Sequence, residues 1–172
     1  IKEGGSAFGT DVSIFSDVIK LVRTKTKKPI IPKLAPNVSD IGAFANAAED
    51  SGADSLAIMN SYPAMGINIK TRRPVLANGS GGLSGPAIKP IAIKLVHDAA
   101  KKTSLPIIGM GGIFEAEDAI EFLIAGATAI AVGTANFIDP STAIRVIDGI
   151  ENYLIENKIN DVKQLVGTVN YE

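Results

Sequence analysis

The sequence predicts an α/β fold, a parallel sheet covered by helices, and three observations carry that prediction. The chain repeats itself. Pro29-Ile30-Ile31 opens an apolar run answered by Gly52-Ala53-Asp54-Ser55-Leu56-Ala57-Ile58, and Pro106-Ile107-Ile108 opens another answered by Gly126-Ala127-Thr128-Ala129-Ile130-Ala131-Val132. Pro and Gly stand 23 residues apart in the first unit and 20 in the second, the mark of a repeated supersecondary unit. The runs are continuously apolar rather than alternating, as in strands buried on both faces. Amphipathic stretches with helical spacing fill the intervals.

In chain order, residues 12–25 place Ile14, Phe15, Val18, Ile19 and Val22 on one helical face, and Lys25, Lys27 and Lys28 suit its negative C-terminal end. A strand near 29–34 follows. Residues 39–50 read as a helix with Ser39 as N-cap and Ile41, Phe44, Ala45 and Ala48 facing inward. Gly52 ends that helix and leads into a strand near 54–59. Residues 61–87 then break the pattern with a Gly-rich excursion. Its segments Ile67-Asn68-Ile69-Lys70 and Arg73-Pro74-Val75-Leu76-Ala77 predict a β-hairpin insertion laid over a site. Ile88, Ile91, Ala92, Leu95, Val96 and Ala99 mark a helix across 88–102, followed by a strand near 106–110. Residues 115–125 open with Glu115, Glu117 and Asp118, which favour a helix N-terminus, and close at Gly126 before a strand near 129–133. Asp139 as cap and Pro140 at the first position start the last helix, whose inner face is Ile144, Ile147, Ile150 and Leu154. Residues 1–172 thus form a single partial domain of four βα units. They are either half of a (β/α)8 TIM barrel, which takes about 250 residues when whole, or a four-stranded doubly wound sheet.

Composition removes several functions. Seventeen basic residues stand against eighteen acidic ones, a formal charge of −1 with no basic tract, so neither a nucleic-acid groove nor an anionic membrane surface has an electrostatic footprint. There is no Cys and a single His, His97, so the chain supplies no thiolate nucleophile, no iron–sulfur ligand and no His-rich metal site. His97 stands among Lys94, Asp98 and Lys101 and reads as a surface residue, while Asp40, Asp54 and Asp118 read as helix-start or loop acids. Phe122 to Ile138 is uncharged, yet the turn signal at Gly126 makes it helix end, turn and buried strand rather than a membrane span. Ile1-Lys2-Glu3-Gly4-Gly5 has no secretory pattern and no starting Met; the expectation is a cytoplasmic protein whose chain begins inside a longer one.

Function in parallel α/β folds collects at the C-terminal ends of strands. Here those ends read Lys33-Leu34-Ala35-Pro36-Asn37, Met59-Asn60-Ser61, Gly109-Met110-Gly111-Gly112-Ile113 and Gly133-Thr134-Ala135-Asn136. Gly111-Gly112 paired with Gly133-Thr134 suits a phosphate, because glycine lets backbone N–H groups approach an anion and the following helix N-termini add positive dipole ends. Lys33, inside an apolar run, either snorkels to solvent or offers a cation to a cofactor ring that gains negative charge. Asn60 and Ser61 are either turn formers or hydrogen-bonding partners for a polar heterocycle. Gly81-Gly82-Leu83-Ser84-Gly85-Pro86 is either a hinge or a backbone donor pressed against a ligand.

These motifs, with Gly82-Leu83-Ser84-Gly85-Pro86-Ala87-Ile88-Lys89-Pro90, resemble the class 1 dihydroorotate dehydrogenases, and Gly66 to Asn78 is most similar to the class 1B branch. The resemblance runs from Gly4-Gly5 almost to the C-terminus and implies the C-terminal half of the barrel. It further implies FMN as cofactor and oxidation of dihydroorotate to orotate in pyrimidine biosynthesis. By position, Lys33 would meet the flavin and stabilise reduced-flavin charge, Met59 and Gly85 would make backbone contacts to FMN, and Gly111, Gly112, Gly133 and Thr134 would hold its phosphate. Asn60 and Ser61 would bind the orotate ring. The implied partners are the N-terminal half of the barrel, a second copy in a homodimer and an iron–sulfur flavoprotein subunit. The sequence departs from the family pattern in two ways. The family's catalytic Cys would lie upstream of Ile1, so no catalytic residue is expected within this chain, and Ala35 stands where the family usually has Ser. The chain alone is therefore expected to be inactive. Alternatives to this reading are a flavin barrel like that of dihydropyrimidine dehydrogenases and a non-catalytic half-barrel that binds phosphate or flavin.

Overall fold

The computed structural model describes residues 8–172; Gly4-Gly5, part of the motif match, lie outside them. Four strands form one parallel sheet: β1 (Lys33–Leu34), β2 (Leu56–Ile58), β7 (Ile107–Met110) and β8 (Ala129–Ala131), in the order β1-β2-β7-β8. The order follows the chain and contains no reversal of the kind that marks the switch point of a doubly wound sheet. Strands β1 and β7 start later than their apolar runs because prolines stand in front of them. Pro29, Pro32 and Pro106 have no N–H to donate, yet their neighbourhood stays paired through Asp54 N–H to the Ile30 carbonyl, Ala57 N–H to Pro32 and Leu56 N–H to Pro106.

The helices are α1 (Val12–Arg23), α2 (Ile41–Asp50), α3 (Lys89–Ala100), α4 (Ala116–Ala125) and α5 (Thr142–Glu156). Each packs on the next along the chain, α1 on α2, α2 on α3, α3 on α4 and α4 on α5, so they make one continuous row. Between that row and the sheet lies the core, in which Leu34, Leu56, Ile58, Val96, Ile107 and Phe122 are almost fully buried. Phe15 and Phe44 meet edge to face at 5.4 Å between ring centroids, joining α1 to α2. No helix of the described residues is long and apolar enough to cross a membrane.

Local chemistry sets most helix starts, with two corrections. Asp11 caps α1 by accepting from the amides of Ser13 and Ile14. Asp40, not Ser39, caps α2: its Oδ1 accepts from Gly42 at 2.9 Å and Ala43 at 3.2 Å. Ser39 lies one residue too early to reach those amides. Glu115 and Asp118 form a reciprocal capping box on α4. The last helix begins at Thr142 rather than Pro140; Asp139 instead holds the preceding turn through the amide and hydroxyl of Ser141.

Burial brings three further corrections. On α1 only Phe15 and Ile19 are buried, with Ile14, Val18 and Val22 exposed; on α5 Val146 is buried, while Ile144 and Ile147 stand out to solvent. Strand β8, expected to be buried, is exposed at Ala129 and half-buried at Ile130 and Ala131, because it pairs on one side only. His97 is half-buried. Its Nδ1 lies 3.3 Å from the Ala125 carbonyl and its Nε2 bonds the Tyr171 hydroxyl, which ties the C-terminal segment to α3 and α4.

The excursion forms two antiparallel ladders. The inner pairs β3 (Tyr62–Ala64) with β6 (Gly81–Leu83), and the outer pairs β4 (Ile67–Asn68) with β5 (Arg73–Pro74). The outer ladder is the hairpin read from the sequence. Its partner was hidden because Tyr62-Pro63-Ala64 and Gly81-Gly82-Leu83 carry no strand periodicity.

Candidate functional site

A cleft of about 300 Å³ opens at the C-terminal ends of the four parallel strands. All nine residues singled out in the sequence line it: Lys33, Met59, Asn60, Ser61, Gly85, Gly111, Gly112, Gly133 and Thr134. They arrive from different elements. Lys33 lies in β1 itself, and Met59, Asn60 and Ser61 follow β2. The Met59 amide donates to the Met110 carbonyl at 3.2 Å and the Asn60 amide to Leu34 at 3.3 Å, so this segment is stitched to both neighbouring strands. The Ile58–Met59 peptide is cis. Asn60 Oδ1 accepts from the Ser61 amide at 2.9 Å.

Gly82 of β6 stacks directly on Ser61, where a Cβ would collide with the Ser61 hydroxyl and Cβ. The inner ladder of the excursion thus rises from the rim of the cleft, and the chain returns to the rim at Ser84 and Gly85. Gly85 has φ +91°, and the amide of Ile88 turns back onto its carbonyl at 3.2 Å to start the short 3-10 turn before α3.

Gly111 (φ +125°) and Gly112 (φ +81°) follow β7 in a conformation that side chains disfavour. A Cβ on Gly112 would lie 2.8 Å from the Gly85 carbonyl oxygen and 2.9 Å from the Lys89 amide nitrogen, so this turn rests against the start of α3. A Cβ on Gly85 would reach the Thr134 methyl at 4.0 Å, and at Gly133 it would meet nothing within that distance. Three glycine-bearing loops therefore converge on one side of the cleft. On the other side stands Lys33, exposed, with no carboxylate within ion-pair distance among the described residues. One unpaired cation opposite a glycine cradle is an arrangement suited to an anionic ligand with a polarisable ring.

The cleft also takes in Ser84, Ile88, Met110, Ile113, Phe114, Ala131 and Val132. Ser84, Ile88, Met110 and Ile113 lie inside motifs already noted. Phe114, Ala131 and Val132 are half-buried and look, in sequence, like any other part of the core. The remaining motif residues do not line it; Asn136, for one, spends its side-chain amide on the Val132 carbonyl at 2.9 Å. No group of His, Cys, Asp and Glu suited to a metal ion occurs among the described residues. Behind the cleft, Lys89 binds Asp118 and Glu121, each at 2.7 Å.

Comparison with known proteins identifies the architecture. A family model described as dihydroorotate dehydrogenase matches residues 1–154. The chain belongs to that family. Among curated relatives, the dihydroorotate dehydrogenase B (NAD(+)) catalytic subunit of Geotalea uraniireducens is 52% identical over 169 residues, 98% of this chain and 55% of the relative. The subunit of the same name from Thermoanaerobacter pseudethanolicus is 49% identical, again over 98% of this chain and 56% of the relative. The structure of DHODH from Eimeria tenella in complex with ferulenol superposes with a TM-score of 0.77 at 25% identity, covering 92% of this chain and 48% of that one. The chain thus spans about half the length of the family members it matches.

Proposed function

We propose that this chain is the C-terminal half of a (β/α)8 barrel and carries the FMN cradle of a class 1B dihydroorotate dehydrogenase. The half-barrel reading is supported by a sheet whose strands follow chain order, by a single unbroken row of helices, and by relatives about twice as long. The observation that carries the functional reading is the convergence on one cleft of eight residues from four strand ends and of Gly85 from the returning excursion, with the unpaired Lys33 among three glycine-bearing loops.

The residues fit the cofactor. Gly111, Gly112, Gly133 and Thr134 would hold the phosphate, since Gly112 lies flush against backbone and Gly133 opens to space. Met59 and Gly85 present backbone groups. Lys33 keeps its ammonium available for a ring that becomes more negative, and Asn60 and Ser61 offer an amide and a hydroxyl to the orotate ring. FMN, when bound, supplies the two-electron acceptor that oxidation of dihydroorotate to orotate requires. A proton must also leave the substrate, and among the described residues the cleft contains no His, Cys, Asp or Glu to take it; the base is assigned to the half of the barrel outside this chain. The same reading places the assembled enzyme in pyrimidine biosynthesis in the cytoplasm. There it works as a homodimer with an iron–sulfur flavoprotein subunit as electron partner.

The test is complementation. This chain, mixed with the N-terminal portion of the Geotalea subunit that it does not match, is expected to bind FMN with a visible flavin spectrum and to oxidise dihydroorotate. Neither piece alone should turn over. A mixture that assembles, takes up FMN and still fails to oxidise dihydroorotate overturns the assigned activity; a mixture that takes up no flavin overturns the cradle.

A further inference from the structure

We propose that Lys89 and Asp118 are a positioning pair for the Gly111-Gly112 turn, holding its backbone in the form that receives a phosphate group. The inference rests on the reading of the cleft as an FMN site. Neither residue lines the cleft, so any effect on a ligand passes through the turn.

Asp118 divides its carboxylate between two tasks. Its Oδ2 accepts from the amides of Phe114 at 2.8 Å and Glu115 at 2.9 Å, the residues that bring the chain out of the glycine turn. Its Oδ1 accepts from Lys89 Nζ at 2.7 Å. Lys89 is the first residue of α3, and its backbone is the surface on which Gly112 rests: a Cβ there would lie 2.9 Å from both the Lys89 nitrogen and the Lys89 Cβ. One lysine thus touches the turn from below through its backbone and grips the exit of the turn through Asp118. The side chains are largely withdrawn from water, Lys89 25% and Asp118 17% exposed, whereas Glu121, the second acid on Lys89, is 49% exposed.

A helix start can be capped by a carboxylate alone. Adding a lysine from another helix does two more things. It fixes α3 and α4 to one another on either side of the turn, and it neutralises a poorly hydrated carboxylate next to a place meant for an anion. Without Lys89, the Asp118 charge would repel that anion across a region of low dielectric and the turn would lose its anchor to α3.

The readout is the preference for FMN over riboflavin, which differ only by the phosphate, measured by fluorescence titration of this chain assembled with its complementing portion. Lys89→Met is expected to cut that preference about tenfold, the size that outer partners of a binding site commonly contribute, with riboflavin affinity little changed. Lys89→Arg should restore it. Equal losses for FMN and riboflavin, or an unchanged preference, would overturn the proposal. Circular dichroism checks folding of each variant. If Lys89→Met does not fold, Lys89→Gln, which removes the cation but keeps a polar group that can reach the Asp118 carboxylate, gives the same comparison. An unaltered protein that takes up FMN no better than riboflavin removes the phosphate cradle itself, and the pair's role with it. Normal preference in the unaltered protein and in both variants removes the positioning role alone.

Discussion

At Gly112 the positive φ and the contact with backbone on two sides leave no place for a side chain. Gly112→Ala is expected to cost about 1–3 kcal/mol, the range for a residue forced into a sparsely populated conformation, and to lower the thermal midpoint together with FMN uptake. Gly133 is the contrast, since a Cβ there meets nothing within 4 Å. Gly133→Ala should leave stability within about 0.5 kcal/mol and weaken FMN binding alone. Thermal unfolding and flavin titration of the two variants separate backbone strain from ligand clearance. Titration of the Lys89–Asp118 pair has a definite sign. Burial pushes the Asp118 carboxyl up, but the Lys89 hydrogen bond and the Glu115 and Phe114 amides outweigh it and hold the group below its ordinary 3.8. Its stabilisation is therefore complete above 3.8 and fades as the pH falls through the depressed folded value. Lys89 is raised above 10.5, chiefly by its hydrogen bonds to Asp118 and then Glu121, so its share is complete below 10.5 and fades as the pH rises through the raised value. Urea midpoints of Asp118→Asn should accordingly depend less on pH in the acid limb than those of the unaltered chain.

Side chains start α1, α2 and α4, and the choice of Asp40 over Ser39 shows how local the decision is. Asp40→Ala is expected to destabilise the chain by about 1 kcal/mol through loss of the α2 cap, whereas Ser39→Ala should change it by under about 0.5 kcal/mol; urea denaturation reads both. The prolines explain why β1 is only two residues long within a longer apolar run. Among the described residues, sequence periodicity located the five α-helices and four parallel strands, because those signals repeat every few residues. It did not locate the β3–β6 ladder. Those segments are short and glycine- or proline-rich, and they are held by pairing with each other across residues that the chain folds away.

Among the described residues, strands β1 and β8 each have one unpaired edge, and the helices beside them carry apolar side chains to the surface. Leu21 on α1 is 63% exposed; near β8, Phe137 reaches 93%, and Ile144 and Ile147 of α5 stand at 61% and 59%. Open edges and apolar helix faces at both ends of one sheet are what a barrel cut in two would present. Ile144→Lys combined with Ile147→Lys is expected to abolish assembly with the complementing portion, read by analytical ultracentrifugation. The thermal midpoint of the isolated chain should fall little, because these side chains already lie in water.

By itself the amino-acid sequence determined the βα repeat, the hairpin, and which residues would stand at the strand ends. All of these follow from spacing, turn residues and caps that act over a few positions. Tertiary structure alone decided which apolar faces find cover. Periodicity says that Ile14, Val18, Ile144 and Ile147 belong to an apolar stripe, but burial depends on the neighbour, and among the described residues α1 and α5 each have a packed helix on one flank only. The same dependence on distant partners placed His97 against Ala125 and Tyr171 and gave Asp54 the guanidinium of Arg23. It also joined Lys89 to Asp118 across 29 residues of chain. A charge's role is set by the group that faces it, and that group is chosen by the fold rather than by the sequence around it.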